Sequence, residues 1–415
     1  MTDYFDSLET REPAGREAQL MAALPLQVAH AQKSASAFAQ ILAGVDAADV
    51  TSRTALARLP VTRKHELLER QKALRASDPF GGFSTLVRGP QMPRIFASPG
   101  PIYEPEGTAG DYWRAARAMH AAGFRAGDLV HNAFSYHMTP GAFIMESGAH
   151  ALGCSVFPAG VGQTEQQLQA IAELRPAAYS GTPSFLRILL EKAAETGSDV
   201  TSLRKALTGG EALPPSLRDW FAGRGVTAYQ SYATADLGLI AYETQAREGL
   251  VLDEGVIVEI VRPGTGDPVS EGEVGELVVT TLNACYPLIR FGTGDLSAVL
   301  PGACPTGRTN TRINGWMGRA DQTTKIRGMF VHPAQVADIA RRFPEVLKAR
   351  LVVSGEMAND VMTLQVEAEG EHQGLHTRIG EAIRDVTKLR GDVQLVSPGS
   401  LPNDGKVIED ARSYK

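Results

Sequence analysis

The stretch GRADQTTKIRGMFVHP (318–333) concentrates charged groups between two glycines, the second of which is Gly328. The cations among them, such as Arg319 and Lys325, could engage a polyanionic ligand through charge-assisted hydrogen bonds, and Asp321 lies between these two. Glycine on either side gives the backbone freedom that other residues lack. The same pattern is typical of a surface turn followed by an edge strand, so this stretch alone does not define a site.

Further groups suited to binding or catalysis fall in four short stretches: LTGGEALPP (207–215), SYATADLG (231–238), RFGTGDLS (290–297) and LPNDGKVIED (401–410). Each has an ordinary structural explanation. A Gly-Gly-Glu turn is common at a strand end, and an aspartate after Gly-Thr-Gly often caps a turn. A lone lysine such as Lys406 is usually solvated. Chemistry follows only if the fold brings these stretches together.

The elements that must position them change character along the chain. Residues 13–75 have apolar positions at helical spacing, which predicts a helical lead-in. From residue 94 short apolar strands alternate with amphipathic helices, a pattern typical of a mainly parallel sheet with helices on both faces. Such sheets bind ligands at the carboxyl ends of their strands. Thr182 and Pro183 are predicted to begin one of these helices, as its cap and first residue.

Two further units follow. β-branched runs separated by turn sequences over 250–315 predict a small antiparallel unit packed on the α/β body. After residue 318 the pattern predicts a compact α+β domain, with one strand at KIRGMFV (325–331). The fold class is therefore α/β, with a large N-terminal domain and a small C-terminal one.

Composition narrows the class of partner. The 415 residues carry a formal charge of −6 and no long basic run, which argues against nucleic acid or an anionic membrane as the main partner. No apolar run approaches the roughly 20 residues of a membrane helix, and the polar N-terminus is unlike a secretory signal. Three separated cysteines favour a reducing, cytoplasmic location over a disulfide framework.

Taken together, in this order and spacing, the five stretches resemble the adenylate-forming superfamily of acyl- and aryl-CoA synthetases, and within it the phenylacetate-CoA ligase family. Supporting stretches include GDLVHNAFSYHMTPGAF, TPSFLRILLE and VGELVVTTLNACYPLIRFGTGDLSAVLPG. The resemblance runs from about residue 94 to the C-terminus. It implies that a carboxylate attacks the α-phosphate of ATP, giving acyl-AMP and pyrophosphate, and that coenzyme A then takes the acyl group. It also implies domains at 1–317 (with 1–90 as the helical lead-in) and 322–415, with a hinge at 318–321 and a mobile C-terminal domain.

The resemblance assigns roles to residues of this chain. Lys406 would stabilise the charge on the α-phosphate, Asp321 would be the pivot of the domain rotation, and Gly328 would lie on the path of coenzyme A. Asp295 would accept hydrogen bonds from the ribose, with Arg319 beside the ribose and phosphate. The full nucleotide-binding set that it implies is Gly210, Glu211, Ala212, Tyr232, Asp295, Arg319 and Lys325.

The chain departs from the family pattern around the outer phosphates of ATP. The family's phosphate loop is rich in Ser, Thr and Gly, whereas residues 97–107 read ASPGPIYEPEG. Only Ser98 and Gly100 retain the character of a phosphate cradle, and Glu104 is expected to repel phosphate. Where the family has an acid that binds Mg²⁺, this chain has Asp236, a shorter possible ligand.

Two other regions bear on ligands. Phe134, Tyr136 and His137 stand where the acyl pocket is expected, although core or strand-end positions explain them equally well. Some family members hold a metal with a Cys-x-Cys-Gly-Arg stretch, but here only Cys304 of the two cysteines is present, so no zinc site is predicted.

The first hypothesis is an AMP-forming ligase that joins a small aromatic or short acyl acid to coenzyme A, using ATP and Mg²⁺. The second is the same fold with a lost or altered ATP half-reaction, working from acyl-AMP or with an amine acceptor. The third is a non-catalytic nucleotide-binding protein. Lys406 and Asp321 count against the third, since neither is needed merely to bind a nucleotide. A homodimer is expected at family level only.

Overall fold

The structure is a computed structural model, and it describes residues 4–262, 266–320, 324–327, 329–331, 333–355, 360–368, 374–402 and 407–412. The chain divides into two compact units, Met1–Met317 and Gly318–Lys415. Among the described residues, no helix combines the length and apolar character that crossing a bilayer requires.

The α-helices follow the predicted pattern closely. The helix Pro183–Thr196 begins as predicted: the Thr182 side chain accepts a hydrogen bond from the Phe185 amide at 3.3 Å, and Pro183 takes the first turn. The α-helices of the described residues are α1 Pro13–Ser34, α2 Ser36–Ile41, α3 Arg53–Leu56, α4 Lys64–Leu74, α5 Ala115–Ala121, α6 Gly141–Ala151, α7 Thr164–Leu174, α8 Pro183–Thr196, α9 Pro215–Ala222, α10 Pro333–Arg341 and α11 Leu375–Thr387.

The strands of the described residues are β1 Thr62–Arg63, β2 Arg94–Ser98, β3 Ile102–Glu106, β4 Leu129–Asn132, β5 Ser155–Phe157, β6 Ala178–Gly181, β7 Lys205–Thr208, β8 Thr227–Thr234, β9 Gly238–Glu243, β10 Leu250–Leu252, β11 Val256–Val261, β12 Gly275–Thr281, β13 Phe291–Ser297, β14 Val299–Leu300, β15 Arg312–Ile313, β16 Thr324–Ile326, β17 Met329–Val331, β18 Val346–Ser354, β19 Val361–Ala368, β20 Asp392–Val396 and β21 Ile408–Asp410. Short 3₁₀ turns lie at Ser7–Thr10 and Ala47–Asp49.

A nine-stranded sheet dominates the first unit, in the order β14-β15-β10-β9-β8-β7-β6-β4-β5. The run from β5 to β8 is parallel, and β9, β10, β15 and β14 extend it in antiparallel fashion. Helices α6 and α7 cover opposite faces of the parallel part. The Asn132 side chain donates to the Ala142 carbonyl of α6, whereas His131, its neighbour on β4, is hydrogen-bonded to Gln167 of α7.

A second sheet of the first unit, β1-β13-β12-β11, corresponds to the predicted antiparallel unit. It differs from the prediction at both ends. Leu250–Leu252 pairs with the large sheet instead, and Thr62–Arg63 joins as a parallel edge beside Phe291 and Gly292. The buried Arg290 fixes this junction, because it donates to Glu259 at 2.9 Å and to the Ala57 carbonyl at 2.8 Å. The start of α4 is thereby held beside β13.

The residues at the expected phosphate-loop position form a hairpin. Strands β2 and β3 pair antiparallel from Arg94↔Glu106 to Ser98↔Ile102, with Pro99, Gly100 and Pro101 in the turn. Pro105 is tolerated because a two-stranded hairpin leaves each strand one unpaired edge.

The second unit contains a four-stranded sheet, β20-β19-β18-β21, covered by α10 and α11. The prediction of a single strand over 325–331 was wrong, because Arg327 adopts a left-handed conformation (φ 48°) and ends β16. The chain returns as β17, which pairs antiparallel with β16.

Candidate active site

The carboxyl ends of the parallel strands meet at one edge of the large sheet, and several predicted site residues lie there. Phe134 follows β4, Gly210 follows β7 and Tyr232 lies on β8. A Cβ atom placed on Gly210 would meet only the Phe134 ring, at 3.9 Å. This is the edge at which parallel sheets bind their ligands.

The best-defined polar arrangement at this edge centres on Asp295 of β13. The Tyr232 hydroxyl donates to Asp295 Oδ2 at 2.7 Å, and the Trp316 Nε1–H donates to Oδ1 at 3.2 Å. Both oxygens of Asp295 thus accept a hydrogen bond, which fixes the orientation of the carboxylate. An aromatic ring and an oriented carboxylate are what a base and its ribose require.

The Gly210–Ala212 turn has a structural explanation for one of its residues. Glu211 Oε2 accepts a hydrogen bond from the Ser184 amide at 3.3 Å, at the N-terminus of α8. A carboxylate there is stabilised by the helix dipole. Gly210 is exposed with φ 75°, and Ala212 is half-buried. Their nucleotide-binding roles stay predictions.

The aromatic residues predicted for the acyl pocket separate into two groups. Phe134 lies within van der Waals range of the start of α6, and the Tyr136 hydroxyl donates to Glu146 of α6 at 2.7 Å. The Asn132 side-chain amide donates to the same hydroxyl at 2.9 Å. His137, by contrast, is exposed. Phe134 and Tyr136 are therefore the two that the fold gathers beside α6.

Asp236, the predicted magnesium ligand, already has a cation. Lys64 Nζ, at the start of α4, lies 2.7 Å from Asp236 Oδ2, and the Asp236 side chain is 1% exposed. Asp236 Oδ1 is buried without a hydrogen-bond partner among the described residues. The Thr234 hydroxyl accepts from the Leu237 amide at 3.2 Å and so closes the local turn. The Asp236 carboxylate is neutralised within the protein.

Magnesium does not fit this donor set. One oxygen of Asp236 faces an ammonium group, and Mg²⁺ is bound through carboxylates, phosphates and water in octahedral geometry. The part of the chain that the structure describes contains no cluster of three or more His, Cys, Asp or Glu residues able to hold a metal. Asp236 is thus arranged as the partner of Lys64 and not as a magnesium ligand.

The β2–β3 hairpin uses its own donors internally. The Ser98 hydroxyl donates to Glu104 Oε1, and the Ser98 amide donates to Oε2 at 3.2 Å. Ser98 is 3% exposed and Glu104 is fully buried. Both donors of Ser98, one of the two residues expected to hold phosphate, are thus bound to Glu104. Gly100 is exposed at the turn, and its phosphate role stays a prediction.

Glu104 differs from the phosphate-repelling charge that the sequence suggested. Burial, together with the nearby Asp236 carboxylate, raises the pKa of Glu104 to about 8. The side chain is therefore mainly protonated at neutral pH and can donate a hydrogen bond of its own. Glu104 and Ser98 form an internal pair that holds the two strands of the hairpin together.

Glu104→Gln is expected to flatten the dependence of stability on pH. The unfolded carboxyl has its ordinary pKa of 4.5 and the folded one about 8, so only the folded state holds this proton between those values. Stability should fall as pH rises through that window, by about 1.4 kcal/mol for each pH unit. Urea unfolding of both proteins from pH 5 to 9 measures this. Parallel curves would show that Glu104 does not carry the dependence.

The structure also reveals residues that the sequence analysis missed. Lys64, Trp316 and Glu146 contact predicted site residues, yet none lies in a stretch chosen for its chemistry. Asn132 also contacts one, and it lies in the quoted stretch GDLVHNAFSYHMTPGAF, where it was given no role. Asn132 can be recognised in the sequence as a candidate site residue, because it is a polar residue at the end of an apolar strand, two residues before Phe134. No sequence pattern marks Lys64 or Trp316.

The remaining predicted residues lie in the second unit or outside the described residues. Arg319 is half-buried near the start of that unit, and Lys325 is an exposed residue of β16 whose carbonyl accepts from Arg412 at 2.9 Å. Asp321, Gly328 and Lys406 lie outside the described residues. Their roles stay predictions.

Comparison with known proteins identifies the family. The model of the AMP-binding enzyme family matches residues 109–284, and that of the AMP-binding enzyme C-terminal domain matches residues 328–411. The phenylacetate-coenzyme A ligase of Thermus thermophilus is 32% identical over 398 residues, covering 87% of each chain. That of Escherichia coli is 31% identical over 391 residues, covering 88% of this chain and 86% of its own.

Solved structures agree on the fold. The crystal structure of 2-hydroxyisobutyryl-CoA ligase with 2-HIB-AMP and CoA in the thioesterification state superposes with a TM-score of 0.79. It covers 100% of this chain and 95% of its own at 24% identity. At that identity the likeness shows the fold alone. It places both units in the adenylate-forming architecture predicted from the sequence.

Proposed function

Because the chain belongs to the phenylacetate-coenzyme A ligase family of AMP-binding enzymes, we propose that it is an acid–thiol ligase that joins a small carboxylic acid to coenzyme A. The acid is an aromatic or short acyl acid, and ATP supplies the energy. The observation that carries the proposal is the Tyr232–Asp295–Trp316 arrangement at the ligand-binding edge of the sheet.

The reaction has two steps. A carboxylate oxygen of the acid forms a bond to the α-phosphorus of ATP as the bond to pyrophosphate breaks. The sulfur of coenzyme A then forms a bond to the acyl carbon, AMP leaves, and the thiol proton passes to solvent or a base. In both steps a bond to an oxygen or phosphorus of the nucleotide's phosphate forms or breaks. Binding the ribose in a fixed position therefore accelerates the reaction by orienting the phosphate.

The residues of this chain take the following parts. Asp295, oriented by Tyr232 and Trp316, accepts hydrogen bonds from the ribose hydroxyls. Lys406 stabilises the negative charge that gathers on the α-phosphate in the first step. Phe134 and Tyr136 line the acyl pocket beside α6. Asp321 is the pivot that exchanges the two active conformations, and such hinges need only a few residues.

One observation favours a second candidate function, an enzyme of the same fold with an altered ATP half-reaction. The donors of Ser98 are bound to Glu104 and the Asp236 carboxylate to Lys64, at the two places where the family holds the outer phosphates and magnesium. Acid-dependent ATP–pyrophosphate exchange, measured over a panel of acids, separates the two candidates. Exchange supports the ligase, whereas coenzyme A acylation from preformed acyl-AMP without exchange supports the second.

A cytoplasmic location and a homodimer are further proposals. Light scattering measures the oligomeric state.

Asp295→Ala is expected to raise the KM for ATP and lower kcat/KM about 100-fold, with a smaller change in kcat. A hydrogen bond to a charged group is worth about 1.5–3 kcal/mol. Without the carboxylate, the ribose would lose this acceptor in both the ground state and the transition state. Tyr232→Phe removes one donor to Asp295 and should change kcat/KM only about 5-fold. Steady-state kinetics with ATP varied measures both, and an unchanged KM in Asp295→Ala would contradict the assignment.

A further inference from the structure

Asn132, at the carboxyl end of β4, presents a fixed hydrogen-bond acceptor. Its side-chain Nδ2 donates to the Tyr136 hydroxyl at 2.9 Å and to the Ala142 carbonyl at 2.9 Å. Both amide protons are used, so the orientation of the side chain is determined and Oδ1 can only accept. Oδ1 is buried, and the structure gives it no hydrogen-bond partner among the described residues.

Ser180, on the neighbouring strand β6, also has a buried polar atom without a hydrogen-bond partner among the described residues. Asn132 and Ser180 are register partners in the parallel pairing of β4 with β6. Ser180 is fully buried, and its Oγ also has no hydrogen-bond partner within the described part of the chain. Asn132 Oδ1 and Ser180 Oγ thus lie at or next to the carboxyl ends of two neighbouring strands, each without a hydrogen-bond partner among the described residues.

Both side chains project toward the face that α6 covers. The preceding residues, His131 and Tyr179, stack their rings on the opposite face, with centroids 6.4 Å apart and planes at 19°. Side chains alternate along a strand, so Asn132 and Ser180 point the other way. The Asn132–Ala142 hydrogen bond confirms that this is the α6 side.

That face is where the acyl pocket is proposed. Phe134 follows Asn132 by two residues and lies against the start of α6 and the Gly209–Gly210 turn. An unpaired buried polar atom is unfavourable, and most such atoms in folded proteins have a partner. Two of them side by side, at the ligand-binding edge of a parallel sheet, indicate that a ligand supplies what is missing.

We propose that the acid activated by this enzyme carries a hydroxyl or amino group that donates a hydrogen bond to Asn132 Oδ1. The same substrate group is also hydrogen-bonded to Ser180 Oγ. This inference rests on the proposed function and specifies its substrate class. A purely apolar acid would leave both atoms buried and unpaired, and a site built to hydrogen-bond a substrate group discriminates strongly against the analogue that lacks it.

Matched pairs of acids test the proposal. The pairs are benzoate with its three monohydroxy derivatives, phenylacetate with 4-hydroxyphenylacetate, and pivalate with 2-hydroxyisobutyrate. In acid-dependent pyrophosphate release, at least one hydroxylated acid should exceed its apolar partner by about 30-fold or more in kcat/KM. Ser180→Ala should reduce that ratio at least about 5-fold without lowering kcat/KM for the apolar partner. Ser202→Ala is the matched control, since Ser202 Oγ is also buried with no hydrogen-bond partner in the described part of the chain but lies in a turn after α8.

The outcomes are distinct. Equal or preferential use of the apolar acids overturns the proposal, as does a ratio that Ser180→Ala and Ser202→Ala leave equally unchanged. If no acid supports turnover, the proposed function fails on that panel, and ligand-observed NMR then decides the inference. Tighter binding of the hydroxylated member to wild type than to Ser180→Ala supports it, and equal binding overturns it. Ser180→Ala should not lower the melting temperature, since the hydroxyl it removes is buried with no hydrogen-bond partner among the described residues.

Discussion

Replacing Lys406 with alanine is expected to lower acid-dependent ATP–pyrophosphate exchange by about 10²–10³-fold, the usual effect of losing one group that stabilises transition-state charge. The reason is electrostatic: the α-phosphorus gathers negative charge as it becomes five-coordinate. Formation of the thioester from preformed acyl-AMP should change much less, because in that step the phosphate is already a leaving group. Measuring both half-reactions on one preparation tests the split.

Lys388→Ala is the control for removing a lysine from the same unit. Lys388 lies just after α11 with its side chain 69% exposed, 3.9 Å from Asp385, so neither half-reaction should change. If Lys406→Ala lowers the rates of both half-reactions equally, the substitution has damaged the C-terminal unit, and Lys406 does not act specifically at the α-phosphate. Exchange at the wild-type rate would remove Lys406 from the mechanism.

The order of elements could be predicted from the sequence because periodicity and caps are local. The predicted start of α8 at Thr182 and Pro183 is confirmed. The errors arose where tertiary pairing overrides local pattern. Leu250–Leu252 pairs with β9 and β15 instead of the small antiparallel sheet, and nothing in three apolar residues distinguishes those partners.

The candidate site was predictable only in part. Tyr232 and Asp295 stand in recognisable motifs, and the structure joins them at 2.7 Å. Trp316 completes that arrangement from outside any motif, and Lys64 lies 172 positions before the carboxylate it contacts. This contact depends on the pairing of the two-residue strand β1 with β13, and no local sequence pattern specifies that pairing.

The hairpin shows why residue type alone misled. Glu104 in a proline-rich segment suggested a charge that repels phosphate. Burial instead keeps it mainly protonated, and both donors of Ser98 bind it. The same residues that make a poor phosphate loop therefore make a well-satisfied hairpin.

Lys64→Met is expected to lower the free energy of unfolding by about 2–3 kcal/mol. Removing one partner of a buried ion pair typically costs about 3–5 kcal/mol, because the other charge is left buried and unpaired. The expected loss is smaller here because the Lys64 side chain is 38% exposed, although Asp236 is 1% exposed. Adding Asp236→Asn should restore most of the loss, since the orphaned charge is then gone. Urea unfolding of the two single variants and the double variant gives the coupling directly.

Lys192→Met provides a closely matched control. Lys192 is also 38% exposed, but its partner Glu195, at 3.2 Å, is 66% exposed, so less than about 1 kcal/mol should be lost. If Lys64→Met costs no more than Lys192→Met, the buried charge at Asp236 is not held by Lys64. Magnesium supplies an independent test on the nucleotide-free protein: it should leave the melting temperature of wild type unchanged, because Asp236 is already neutralised. A rise with Mg²⁺ that Asp236→Asn abolishes would instead show that the metal displaces Lys64, and would return Asp236 to the role of magnesium ligand.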